Sequence, residues 1–242
     1  EGVYNIQKIH CRQLRLPWNE PKAQKSAQEM FRRMWAFKWL PPGRGLWAMG
    51  TDMIFDKGGA ALNNCAFVST EEIDVDFAAP FTFLMDMSML GVGVGGDCRG
   101  AGKVKIQVPR MTEKPYVVED SREGWVDLVR VVLNSFVGKG HYPTNPDYSQ
   151  VRKRGSIING FGGVASGPQP LIDLIDNLTE LLMPKDGEPY KISSAIIVDI
   201  FNMVGKCVVS GGIRRTAEIM FGDPDDPEFV TLKQDKEKLH SH

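Results

Sequence analysis

Helical periodicity alternates along this chain with β-type runs of only three to six residues, each beside a glycine-rich turn, and few architectures accommodate that alternation. The runs are Ala66-Phe67-Val68, Val104 to Val108 and Thr216 to Phe221. Asn19-Glu20-Pro21 opens a helical segment in which Ala23, Ala27, Met30, Phe31, Met34 and Trp35 recur at helical spacing, with Pro41-Pro42 as its stop. Asp120 and Glu123 have the spacing of a capping box ahead of Trp125, Leu128, Val129, Val132 and Phe136. Pro170 suits the first turn of a helix with Leu171, Leu174, Ile175, Leu178 and Leu181 on one face. Ser194 to Val209 carries Ile197, Ile200, Val204, Cys207 and Val208 and runs out at Gly211-Gly212. Asp226-Pro227-Glu228 starts a last helix, expected to reach the end of the chain. Short strands separated by long helices predict an α/β fold. Gly138 to Arg154, rich in Gly, Pro, Asn and charge, reads as an exposed loop.

Composition removes several function classes. The 242 residues are 42% hydrophobic and 24% charged, a globular balance that argues against disorder and coiled coil. Lys plus Arg number 29 against 30 Asp plus Glu, so there is no basic excess for wholesale binding to nucleic-acid phosphates. No apolar run approaches the ~18 residues of a membrane span. The chain starts at Glu1 without a signal-peptide pattern and reads as processed or cut, of soluble, cytoplasmic type. Four cysteines without a CxxC pair argue against zinc-ribbon, thioredoxin-like and disulfide-framework readings. His10, His141, His240 and His242 form no metal constellation, and Asp223 to Asp226 suits a helix cap better than a calcium loop.

Three segments could carry chemistry. Gly91 to Gly96 matches GxGxxG by letter, but a dinucleotide site needs a strand before the motif and a helix after it. Here a Met-rich helical stretch precedes it and loop-like residues follow. Six glycines among residues 91–102 exceed what a flexible turn needs and suggest close backbone approach to a ligand. Cys65 lies between Asn63-Asn64 and a short apolar strand. It is either a small buried residue at a strand start or a redox thiol with amide neighbours. Cys207 reads as core, Cys98 as exposed in its glycine loop, and Cys11 as near a frayed start. Ser210 to Thr216 sets Arg214 and Arg215 on a glycine-rich connector. That pattern suits phosphate or base recognition, and equally a helix C-cap followed by a solvated charge pair.

Taken in order, these segments resemble an adenosylcobalamin-dependent (class II) ribonucleotide reductase of the monomeric ribonucleoside-triphosphate type. The resemblance is carried by Leu40 to Thr51 (LPPGRGLWAMGT), Leu62 to Cys65 (LNNC) and the Gly91 to Gly102 loop. It continues through Gly160 to Pro168 (GFGGVASGP), Gly211 to Glu218 (GGIRRTAE) and Phe229 to Lys236 (FVTLKQDK). It implies the N-terminal half of a ten-stranded α/β barrel of the ribonucleotide reductase type. Residues 1–40 would be an N-terminal helical segment, and 41–242 the first half of the barrel. An effector-site segment would be inserted at about residues 111–167, with its helix at Arg122 to Phe136. Cys65 would be one of the two reducing cysteines, and Asn64, Gly91 and Arg214 would face the substrate. Gly95, Gly96, Asp97 and Arg99 would belong to the first specificity loop. Ser210, Gly211, Gly212, Ile213, Arg215 and Thr216 would belong to the second, which relays the effector's identity.

The family's thiyl-radical cysteine, second reducing cysteine, substrate-phosphate loop and C-terminal redox pair have no counterpart here. The expectation is the N-terminal part of a split, intein-interrupted or truncated reductase, inactive alone, that docks on the C-terminal part. The resemblance implies a ribonucleotide substrate, adenosylcobalamin, a deoxynucleotide effector and a thioredoxin-like reductant, without membrane or nucleic-acid partners. A fragment of a class I large subunit and a non-catalytic nucleotide-sensing module remain the alternatives, with an NAD-dependent dehydrogenase remote.

Overall fold

In the computed structural model, which describes residues 2–158, 163–210 and 216–234, the chain divides into two units, residues 1–64 and 65–242. The first is helical: α1 (Gly2–Gln13), α2 (Glu20–Trp35), α3 (Gly43–Ala48) and α4 (Asp52–Lys57), then a 3-10 turn at Gly59–Leu62. Asn19 caps α2, its Oδ1 accepting from the Lys22 N–H at 3.0 Å. The Tyr4 hydroxyl donates to Glu20 at 2.6 Å and the Trp18 indole at 2.8 Å, and these bonds pull the Glu20 carboxyl down to about 2. α2 ends at Trp35, short of the prolines, because Phe37 takes a left-handed φ of +52°. Nothing in the sequence signalled α1, α3 or α4.

The second unit opens with β1 (Cys65–Val68), α5 (Ala79–Met89) and β2 (Gly93–Asp97). A long excursion follows: β3 (Lys105–Ile106), β4 (Met111–Thr112), β5 (Tyr116–Val117), α6 (Arg122–Ser135), β6 (Tyr142–Pro143), β7 (Pro146–Asp147), α7 (Gln169–Leu182) and β8 (Tyr190–Lys191). The chain then returns through α8 (Ser194–Val209), β9 (Glu218–Phe221) and α9 (Pro227–Thr231). The main sheet has order β1-β2-β9, all parallel, with Cys65 opposite Gly93 and Val94 opposite Glu218. α5 packs on β1 and β2, and α8 on β9; α6 packs on α5, and α7 on α6 and α8. α5 is apolar almost all round, with Phe81, Leu84, Met85 and Met89 buried, because it is covered from both sides. No described helix is long and apolar enough to cross a membrane.

The α/β expectation holds, and the helical registers of α6, α7 and α8 fall close to where periodicity puts them. Several details differ. The α6 cap is Ser121, whose Oγ accepts from the Gly124 N–H at 2.9 Å; Asp120 instead takes the Arg152 guanidinium at 2.8 Å. On α7, Leu182 is buried where Leu181 was expected. The strand expected over Val104 to Val108 pairs only at Lys105–Ile106. Residues 138–154 are not a free loop: β6 and β7 pair with β4 and β5 inside that stretch. α9 spans five residues, capped by Asp226, and residues 235–242 lie outside the described ones.

The largest correction concerns Gly95, Gly96 and Asp97, which lie not in a loop but on β2, the strand paired on both sides. A Cβ on Gly96 would come within 2.5 Å of the Phe201 ring of α8, so only glycine lets helix and sheet meet there. β2 ends in a tight knot. The Thr70 N–H and hydroxyl donate to Asp97 Oδ1 at 2.8 and 3.1 Å, and the Thr70 hydroxyl accepts from the Gly100 N–H at 2.9 Å. Burial raises the Asp97 pKa, but the donors, led by the Thr70 N–H, outweigh it and hold the carboxyl below its ordinary range.

Two outcomes follow from this packing. Gly96→Ala should destabilise the fold by about 1–3 kcal/mol through overpacking, read as a lower urea midpoint. A depressed native pKa means that the stability from Asp97 is present at neutral pH and lost as pH falls through the acid range. Asp97→Asn should therefore lower stability at pH 7 and flatten the acid limb of the stability profile.

Candidate functional site

Alternation along the strands sorts the main sheet into two unlike faces. Val94, Gly96, Glu218 and Met220 point to the helices; Cys65, Phe67, Gly95, Ile219 and Phe221 point away from them. The second face is uncovered: Phe67 is 53%, Ile219 58% and Phe221 54% exposed, with the Phe67 and Phe221 rings 6.1 Å apart. A Cβ on Gly95 would lie 3.0 Å from Phe67 and 3.1 Å from Ile219, so this glycine lets its two neighbours close over the strand. Cys65 opens β1 on this face as an exposed free thiol, so the small-buried-residue reading does not hold.

Three candidates gather at the amino end of the sheet. Cys65 is opposite Gly93, and Gly91 stands two residues before it, directly after Leu90, the C-cap of α5. Gly91 takes φ +77° and donates to Ser88 O at 2.8 Å, and the Val92 N–H reaches back to Met87 O at 3.1 Å. The Thr216 hydroxyl lies 3.1 Å from Val92 O and 3.2 Å from Ser88 Oγ, tying the entry of β9 to the α5–β2 turn. Ser210 ends α8, its hydroxyl donating to Cys207 O at 2.7 Å. Gly211, Gly212, Ile213, Arg214 and Arg215 lie outside the described residues. Asn64 directly precedes Cys65 in the chain but belongs to the first unit.

Asp97 and Arg99 are at the other end, four residues along β2 or more from Gly93, about 13 Å away. A cavity of about 620 Å³ lies there, lined by Asp97, Arg99, Phe221 and residues 223–226. Arg99 pairs with Glu71 at 3.3 Å. Cys98, expected to be exposed, is buried with its Sγ 3.9 Å from Ser194 O, and burial pushes its thiol up to about 12. Cys207 is buried in α8 as expected; burial, with Asp173 adding to it, takes that thiol to about 12 as well. Neither shares the open face with Cys65.

Three contributors escaped the sequence reading. Thr70 and Ser88 gave no signal, since a lone hydroxyl has no periodic signature. Glu218 could have been found, because strand alternation puts it with the core-facing positions.

Comparison with known proteins agrees with this arrangement. A profile described as "Ribonucleotide reductase alpha domain" matches residues 1–51, and one described as "B12-dependent ribonucleotide reductase, insertion domain" matches residues 99–182, the stretch that holds α6 and α7. The probable adenosylcobalamin-dependent ribonucleoside-triphosphate reductase of Dictyostelium discoideum is 48% identical over 96% of this chain and 33% of its own length. The adenosylcobalamin-dependent ribonucleoside-triphosphate reductase of Euglena gracilis is 45% identical over 97% of this chain and 32% of its own. A crystal structure of a B12-dependent (class II) ribonucleotide reductase superposes with TM-score 0.78 at 27% identity, covering all of this chain and 40% of that one. The chain thus spans about a third of the length of the curated relatives it matches. The insertion-domain match decides against a class I large subunit, and the chain belongs to the class II, adenosylcobalamin-dependent ribonucleotide reductases.

Proposed function

We propose that this chain is the N-terminal part of a cytoplasmic ribonucleoside-triphosphate reductase, to which it contributes one reducing thiol and the nucleotide-facing edges of a half-barrel. The carrying observation is Cys65: an exposed thiol on the uncovered apolar face of a parallel sheet, at the end where the α5–β2 turn and the entry to β9 converge. Parallel sheets are covered on both faces in folded proteins. The row of Phe67, Ile219 and Phe221 therefore supports a reading in which the C-terminal part of the enzyme closes a barrel over it.

The chemistry balances with one thiol from here. Two thiols are oxidised to a disulfide, the ribose carbon gains two electrons, and the 2′-hydroxyl leaves as water. Cys65 is one thiol; Cys98 and Cys207 are buried away from this face and Cys11 lies on α1 of the first unit, which supports a partner in the remainder of the enzyme. Asn64, Gly91 and Arg214 are the candidates to hold the substrate. The turn after β2 carries the effector-site candidate Arg99, beside the carboxylates of Asp97 and Glu71. Packing of α6 and α7 against α5 and α8 supports the role of the insertion in walling that site.

Among the described residues no group of His, Cys, Asp or Glu could hold a metal ion, and a cobalamin asks for none, since the corrin ring already holds its cobalt. The cavity beside Asp97 presents the carboxylates of Asp97, Asp223, Asp225 and Asp226, which repel a phosphate-bearing nucleotide tail. The radical cofactor belongs with the rest of the enzyme, as does the thioredoxin-like reductant.

In the reductase assembled with its C-terminal part, Cys65→Ser should cut dithiol-dependent deoxynucleotide formation by about a thousandfold or more. Substrate binding should stay within about twofold. Retained turnover would refute the role of Cys65. The 242-residue chain given a ribonucleoside triphosphate, adenosylcobalamin and a dithiol should form no deoxynucleotide; turnover by it alone would refute the division of labour.

A further inference from the structure

Residues 30–51 include Arg32, Arg33, Lys38 and Arg44 and no acidic residue, and within this stretch the first unit leaves three rings in water. Phe31 and Trp35, one turn apart on α2, stack with centroids 6.0 Å apart and are 64% and 77% exposed. Phe37 is 83% exposed, the most of any large apolar side chain among the described residues. It closes α2 in a Schellman turn: its N–H donates to Met34 O at 3.0 Å, and the Lys38 N–H to Arg33 O at 2.9 Å. That turn requires a positive φ at Phe37, +52°, which glycine adopts freely and an L side chain only under strain. A ring that strains the backbone and stays in water adds nothing to the stability of the chain, and strain of this kind marks a contact made elsewhere. The three rings expose roughly 400 Å² together, the size at which apolar surface marks an interaction site.

We propose that Phe31, Trp35 and Phe37 form a docking face for the C-terminal part of the reductase, which meets them with an apolar groove rimmed by Asp and Glu. The proposal rests on the reductase reading and adds to it a contact on the first unit, beyond the open sheet face of the second.

Three observations choose this occupant. The rings lie within residues 1–51, the stretch matched by the reductase alpha-domain profile, so the face belongs to the family's own architecture. The solved relative superposes on the whole chain, this unit included, and the match takes in 40% of it; in the Dictyostelium relative the match takes in 33%. Most of each relative is therefore further polypeptide of the same enzyme. Charge sets the chemistry of the rim. Arg32 and Arg33 share one carboxylate, that of Glu29, at 3.7 and 2.9 Å, and Lys38 adds a further exposed cation. The excess positive charge beside the rings asks for carboxylates on the surface that covers them.

The test sets stability against assembly. Phe37→Gly removes ring and strain together, so the 242-residue chain should unfold at a higher urea concentration than the natural one. In the assembled reductase the same substitution should raise the dissociation constant from the C-terminal part, read by dilution, at least about tenfold. Trp35→Ser, at an exposed position, should weaken assembly likewise and leave the urea midpoint where it is. Salt raised from ~0.05 to ~0.5 M should weaken assembly of the natural protein at least about threefold, and Lys38→Glu should reduce that dependence. Undiminished affinity in both Phe37→Gly and Trp35→Ser would overturn the docking face and leave the reductase reading in place. A natural chain that does not assemble with the C-terminal part would overturn both. Dimers of the chain alone, or its binding to phosphatidylserine vesicles or single-stranded DNA, if lost in Trp35→Ser, would assign the face another occupant and overturn the proposal as well.

Discussion

The close approach of Phe201 to Gly96 is the contact on which the second unit rests. β2 is paired on both sides, and Gly96 gives the Phe201 ring direct access to its backbone. Phe201 packs edge-on against Phe81 at 5.7 Å, and Phe81 against Phe77 at 5.7 Å, so one run of rings joins α8 to α5 and to the segment ahead of it. These side chains are fully buried, and each contributes on the order of 3–5 kcal/mol against truncation. A Cβ at position 96 would lift α8 from the sheet. With α8 would go the contacts to α7 and the entry of β9.

The helix layer above is held by polar contacts at its margins. Arg122 of α6 reaches Asp86 of α5 at 3.2 Å; Arg130 reaches Asp76 at 3.0 Å and the Thr82 hydroxyl at 2.8 Å. Burial raises the Asp86 carboxyl while Arg122 opposes that rise. These half-exposed pairs add little stability one by one, but they fix the angle at which α6 lies on α5. The apolar stripe of Leu128, Val129 and Val132 then sets how closely the helices meet. Arg152 on Asp120 likewise anchors the end of residues 138–154, a stretch rich in glycine and charge.

The two faces of the sheet differ in burial. The helix face is dry and close-packed. The other carries the exposed Cys65 thiol among exposed apolar side chains. The site candidates split along the strands: Cys65, Gly91 and Thr216 at one end, Asp97 and Arg99 at the other.

Helical periodicity determined α6, α7 and α8 almost to the residue, because 3.6-residue spacing of Leu128, Val132, Leu171, Leu178, Ile197 and Val204 has only one way to bury its stripe. The ordered motifs likewise determined the family. What tertiary structure alone decided was the role of the glycines. Gly95 and Gly96 have little strand propensity of their own, yet they lie on the central strand because Phe67, Ile219 and Phe201 need the space that side chains would fill. Burial of Cys98 and exposure of Cys65 were decided the same way, by which neighbours arrive from distant parts of the chain. A local sequence window carries the periodicity of an element but not the shape of what packs against it.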